Sequence, residues 1–161
     1  MMITKGASMA HYNKILAALD SGDTQLAVAR RALSIAHDDH AEVLFVHIVD
    51  STELEQARVD IVHYTETCKQ AIEENLAEQL DTAAKDECIP AVNILVRGGI
   101  VNEALSIVAK DFNPDLVICG VRGLSGIKYA FLGSVSTYLV RHMECDVLVV
   151  RPEMLDEAKD L

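Results

Sequence analysis

The stretch LVICGVRGLSGIKYAFLGSVSTYLVRHM, residues 116–143, decides the reading of this chain. Leu116 to Cys119 is a short continuous apolar run, the pattern of a strand buried on both faces. Gly120 ends it and opens a glycine-marked loop that reaches Leu132, with room for a short helical turn. Gly133-Ser134 then starts a helix over about Ser134 to Met143. Glycines thus stand where a strand ends and where a helix begins, and in the first turn of that helix unpaired N–H groups and the positive end of the dipole favour an anion.

The same alternation extends in both directions. Ile15 to Leu19 is an apolar run ending in the polar turn Asp20-Ser21-Gly22-Asp23, which also offers helix caps. A helix is expected over about Thr24 to Ala36, with Leu26, Ala29, Leu33 and Ala36 at helical spacing. Val43 to Val49 reads as a second strand and Asp50 to Asp60 as a polar connection. One long helix is expected over about Val62 to Glu87, its stripe running Tyr64, Cys68, Ile72, Leu76, Leu80 and Ala84 until Pro90 stops it. Val92 to Val96 is the third strand, closed by a Gly98-Gly99 turn. A helix follows over about Val101 to Asp111, and Asn113-Pro114 breaks it. Val147 to Val150 is the fifth strand. Helix-length crossovers between buried apolar runs imply parallel pairing and right-handed units, hence a doubly wound α/β domain in three α/β/α layers. That domain spans residues 12–152, with tails at 1–11 and 153–161. Met9 is a second candidate start.

Composition narrows the function. The formal net charge of −11 excludes a general nucleic-acid binder, which needs cations along the phosphates. Any anionic ligand must be held by local donors against that field. The acidic run between Glu53 and Glu87 reads as a solvated helix face. Cys68, Cys88, Cys119 and Cys145 form no C-x-x-C pair. Cys68 and Cys119 read as core-facing, and reduced thiols in a cytoplasmic protein are expected. The first eleven residues lack the apolar core of a signal peptide, and no run is long enough to span a bilayer.

In an open α/β sheet a ligand sits beyond the carboxyl ends of the strands, where strand order reverses. Two such ends carry unusual residues, Asp20 and Gly120. Gly120 and Gly123 allow a close approach to a phosphate, Ser134 and Ser136 add hydroxyls, and Arg122 and Lys128 are local counter-charges. Asp20 equally suits a helix cap, and Arg122 equally suits a solvated loop. No Gly-Lys-Ser/Thr is present, so this is neither a Walker A loop nor a G-x-G-x-x-G turn.

The pattern G-x2-G-x9-G-[ST], as Gly120-Val121-Arg122-Gly123 through Gly133-Ser134-Val135-Ser136, resembles the nucleotide-binding signature of the universal stress protein family. The resemblance extends to Lys14–Asp20, Glu42–Asp50 and Cys145–Val150, nearly the whole chain. It implies a five-stranded parallel sheet of order 3-2-1-4-5, of the adenine nucleotide alpha hydrolase-like kind, with Asp20 and Gly120 on one crevice. It implies ATP or AMP as ligand, with Mg2+ an open question at the phosphates. Asp20 would meet the ribose and the backbone near Ile48 the adenine edge. Gly120, Arg122, Gly123, Gly133, Ser134, Val135 and Ser136 would hold the phosphates. Relatives lacking these glycines bind ATP poorly. The family likeness also implies a homodimer paired through Val147–Val150, acting on a protein partner not identifiable from sequence. Two departures stand out: Ile100 where many relatives place proline, and the less basic stretch Ile127 to Phe131.

Three functions are weighed: a nucleotide-binding regulatory or stress-response protein, a slow ATPase, and a dimeric interaction module whose nucleotide is incidental. No base or water-orienting group for phosphoryl transfer stands out beyond Asp20, so the expectation is a binder rather than an enzyme. His37 and His40 share a helix end with no third ligand apparent, and His142 and Cys145 lack partners, so no metal centre is expected. His47 reads as a packed or hydrogen-bonded strand residue.

Overall fold

The apolar runs become the strands of one parallel sheet because those at its centre bury both faces. The computed structural model describes residues 11–20, 22, 24–121 and 133–152. In chain order these form β1 (Lys14–Ala18), α1 (Thr24–Asp39), β2 (Glu42–Asp50), α2 (Ser51–Ala57), α3 (Ile61–Asn75), α4 (Ala77–Ala84), β3 (Val92–Gly99), α5 (Val101–Phe112), β4 (Leu116–Gly120), α6 (Ser134–His142) and β5 (Asp146–Val150). The five strands lie in the order β3-β2-β1-β4-β5, all pairs parallel. The doubly wound three-layer arrangement is therefore as expected. No helix among the described residues is long and apolar enough to cross a membrane.

Side-chain alternation along the strands feeds two cores. On one face Ile15, Ala17, Phe45 and Ile118 pack with Ala29 and Ala32 of α1, and with Ile72, Leu76 and Ala83 from α3, α4 and the joint between them. On the other, Leu16, Val46, Val117 and Cys119 pack with Leu105 and Val108 of α5 and Leu139 of α6. Small alanines along α1 let that helix lie close to the sheet.

Three expectations are corrected. The connection after the second strand is not merely polar but holds α2. Asp50 accepts the Thr52 N–H at 2.9 Å and the Thr52 hydroxyl at 2.7 Å, buried Leu54 anchors the turn, and Arg58 ends it with φ 51°. Asp60 caps α3 in the same way. The single long helix is two. Leu76, almost fully buried, leaves helical geometry at ψ 15°, yet Leu76 N–H reaches Ile72 O and Leu80 N–H reaches Leu76 O. The apolar stripe survives the joint, with Ile72, Leu76 and Ala83 all buried in one core. Finally, Gly98 and Gly99 are no turn. They extend β3 beside Val49 and Asp50. A Cβ on Gly98 would meet Ile61 Cδ1 at 2.5 Å, so its glycine makes room for the start of α3.

Gly120, at the end of β4, has a similar and tighter constraint. A Cβ there would lie 2.6 Å from both Cβ and Oγ1 of Thr24, the first residue of α1. The helix leaving β1 thus begins directly against the end of β4. At the opposite edge of the sheet, the entry to β1 is tied by carboxylates. Asp115 accepts the N–H groups of Asn13 and Lys14 at 2.9 and 3.0 Å, and the Tyr12 hydroxyl donates to Asp146 at 2.7 Å.

Two outcomes follow. Gly120→Ala lowers stability by roughly 1–3 kcal/mol in urea denaturation, the usual cost of overpacking, and Thr24→Ala does not rescue it because the Thr24 Cβ is itself in the way. A midpoint equal to wild type would show that α1 and β4 part freely. The bond to Asp146 pushes the Tyr12 hydroxyl up to about 12. A raised folded pKa stabilises fully below the unfolded value near 10 and is lost as pH climbs through the folded one. Tyr12→Phe is therefore less stable than wild type by about 1 kcal/mol at pH 8, and the gap closes by pH ~12.

Candidate functional site

The unequal lengths of the strands build a cleft at their carboxyl ends. β1 stops at Ala18, opposite Val46, and Leu19 N–H makes the last bond across, to Val46 O at 2.7 Å. β2 runs on to Asp50 alongside β3. Since Val46 faces β1 and backbone groups alternate sides, Ile48 also turns its N–H and C=O toward β1, where β1 has already ended. A backbone donor and acceptor are left facing the gap.

Asp20, Ile48, Gly120, Ser134, Val135 and Ser136 all line this one cleft, of about 460 Å³. Gly133 caps α6 behind them. Arg122 and Gly123 lie outside the described residues, as does Lys128. The volume is that of a small-ligand site. A hollow of about 550 Å³ at the other ends of the strands is lined by Asp115, Glu144 and Asp146. Its carboxylates repel an anion, so size does not choose between the two.

Asp20 is held in place by one oxygen. Oδ1 accepts the Gly22 N–H and the Thr24 hydroxyl, both at 3.0 Å, while Oδ2 takes no bond among the described residues. The Gln25 side chain fixes the Asp20 carbonyl at 2.8 Å. The carboxylate thus serves as a turn residue of the cleft wall and, among the described residues, keeps Oδ2 as a second acceptor. Opposite, α6 begins at Gly133 with no side-chain cap, and its first internal bond is Thr137 N–H to Gly133 O at 3.0 Å. The N–H groups of Ser134, Val135 and Ser136 precede that bond. Ser136 is buried, and its hydroxyl donates to Gly133 O at 3.0 Å. What it offers outward is its backbone N–H, not its hydroxyl. Ser134 is exposed.

Other residues line the cleft that spacing did not single out. His47 donates Nδ1–H to Leu19 O at 2.9 Å, since a carbonyl only accepts. Tyr64 and Cys68 also face it. Cys68 was expected in the core. Instead, the first half of α3 overhangs the strand ends, and Ile72 is the one residue of that helix fully buried. Cys119 is buried as expected. Burial pushes both thiols up, Cys119 to about 11, so neither presents a thiolate to the cleft. Asn102 adds a buried Oδ1 without a partner among the described residues. The arrangement offers acceptors and open backbone at one end and N–H donors at the other. It shows no activated nucleophile among the described residues.

Comparison with known proteins agrees with the fold. The universal stress protein family model matches residues 11–151. A relative assigned to the universal stress proteins in Staphylococcus haemolyticus is 30% identical over 149 residues, covering 92% of this chain and 90% of that one. Its counterpart in Staphylococcus aureus (strain USA300) is 31% identical over 147 residues, covering 91% and 89%. Among solved structures, the universal stress protein UspA from Lactobacillus plantarum superposes with a TM-score of 0.72 at 23% identity, covering 89% of this chain and all of that one. A universal stress protein in complex with cAMP superposes at 0.62 with 24% identity, covering 89% and 99%. The chain belongs to the universal stress protein family.

Proposed function

We propose that this chain is an adenine-nucleotide receptor, taking ATP or AMP in the cleft above β1 and β4 and using occupancy as a regulatory or stress signal. The observation that carries the reading is the convergence of three complementary groups on one cleft: the Asp20 Oδ2, the open backbone of Ile48 and the uncapped N-terminus of α6. A carboxylate accepts from ribose hydroxyls. A strand's free N–H and C=O match the donor and acceptor on an adenine edge. Uncapped N–H groups suit phosphate. In this reading Arg122 and Gly123 complete the phosphate end, and Mg2+ enters only as a counter-ion of a triphosphate. A universal stress protein of the same fold holds cAMP, an adenine nucleotide, which supports that ligand class. The protonated thiols and the one-sided engagement of Asp20 favour holding a ligand over transforming it.

A second observation bears on assembly. β5 pairs with β4 alone among the described residues, and Val147, Leu148 and Val149 stay half-buried at the edge of the sheet. Apolar edges are covered or paired in stable proteins. The reading therefore includes a homodimer through β5, working in the cytoplasm on a protein partner. If partner binding proved indifferent to the nucleotide, the interaction-module reading would take precedence.

Isothermal titration of ligand-free protein should show heat with ATP or AMP. Asp20→Asn keeps an oxygen for Gly22 and Thr24 but replaces the other acceptor, and should weaken binding about 10- to 100-fold, the worth of a hydrogen bond to a charged group. Silence toward ATP, ADP and AMP alike would overturn the reading. Light scattering should give twice the 17.6 kDa chain mass at micromolar concentration, and a monomer there would remove the dimer from it.

A further inference from the structure

The end of α1 and the connection between α4 and β3 meet at a place that shares no lining residue with the cleft. There His37, Asp86 and Cys88 place a ring nitrogen, a carboxylate oxygen and a sulfur all within 4.8 Å of one another. It is the one such group of three among the described residues. We propose that these three side chains form a binding site for a divalent transition ion of the zinc class, which clips α1 to the α4–β3 connection.

The frame for the donors is already built. Asp86 Oδ1 is occupied by the Cys88 N–H at 2.9 Å, which fixes the carboxylate and the sulfur-bearing residue relative to each other. That leaves Oδ2, which sits 2.7 Å from His37 Nδ1. His40, just past the end of α1 at φ 56°, donates Nδ1–H to Cys88 O at 3.3 Å and so holds the same loop against the same helix. Two residues of one helix end thus grip one loop, and the three candidate ligands stand on either side of that seam. The donor atoms converge to within 4.8 Å of one another rather than spreading along a surface, and small side-chain shifts suffice to set them around one ion.

The chemistry of the set selects the ion. Imidazole, carboxylate and thiolate together suit zinc and its neighbours, whereas calcium and magnesium want oxygens only. Three protein ligands leave a fourth position to water. On binding, the ion takes the place of the proton that bridges Nδ1 and Oδ2 and of the Cys88 thiol proton, and both protons go to solvent. His37 is the exposed member, with its side chain 55% accessible, and provides the path of entry, while Asp86 is 20% accessible and shelters the seam. The net charge of −11, with Asp38, Asp39 and Glu87 close in sequence, favours a cation's approach. Sequence spacing missed the site because one strand and three helices separate His37 from Asp86, 49 residues apart.

The test uses the full chain, treated with chelator and reductant and titrated with Co2+. Binding should produce a thiolate-to-cobalt charge-transfer band together with the visible bands of four-coordinate cobalt, and Zn2+ should bleach both. Cys88→Ser should abolish the charge-transfer band, and His37→Gln should weaken Co2+ binding at least about tenfold, a loss of the kind seen when metal-site residues are changed. Cys68→Ser and Cys145→Ser should leave the spectrum unchanged, and circular dichroism confirms that each variant is folded. Zn2+ should raise the melting temperature of wild type and not of Cys88→Ser. Absence of the band in wild type, its survival in Cys88→Ser, or its loss in Cys145→Ser would overturn the proposal and leave the cluster an ion pair beside a thiol.

Discussion

The contact between Thr24 and Gly120 governs the carboxyl edge of this sheet. Reversal of strand order makes β1 and β4 neighbours, and the helix that leaves β1 must begin where β4 ends. Thr24 fills the space a side chain on residue 120 would need, and its hydroxyl holds Asp20 Oδ1. One residue therefore spaces the helix from the strand and aims the carboxylate. If α1 were lifted, Asp20 would lose one of the two donors to its Oδ1. The glycine is required by the protein's own packing before any ligand is considered.

Strand periodicity made the parallel sheet legible, since parallel strands buried on both faces leave continuous apolar runs such as Leu116–Cys119, whereas the order of the strands came from the family resemblance. Helix caps were less legible. Asp50 and Asp60 each open a helix, but an aspartate in a polar stretch also suits a turn, and only the bonds to Thr52 and Val62 distinguish the two. The break at Leu76 left no mark in the stripe because the apolar spacing continues across it. At the site, the glycines and Asp20 were legible as types. The role of Ser136 was not, since a first-turn serine looks the same whether its hydroxyl points to a ligand or, as here, back to Gly133 O. The overhang of α3, which carries Tyr64 and Cys68 to the cleft, depends on strand lengths that a helical stripe does not encode.

The magnitudes at the cleft are individually modest. A helix terminus contributes about 0.3–1 kcal/mol toward an anion, up to ~2 in sheltered geometry. A hydrogen bond to a carboxylate contributes about 1.5–3. Against the field of a chain at −11, the proposed ligand would be held by several of these groups at once. On the proposed reading such a cleft would discriminate by the joint fit of its two ends, since a lone phosphate would engage one of them and a nucleoside the other.

The overrun of β2 past β1 has an evolutionary reading. The donor and acceptor that Ile48 turns into the gap belong to the main chain, and their position is set by where the neighbouring strand stops. Side chains at that residue are then free to drift under mutation without altering what the backbone presents, and only proline, by removing the N–H, would erase the donor. Chains with little residue-by-residue likeness can thus keep one recognition surface, provided that the lengths of two adjacent strands are inherited intact.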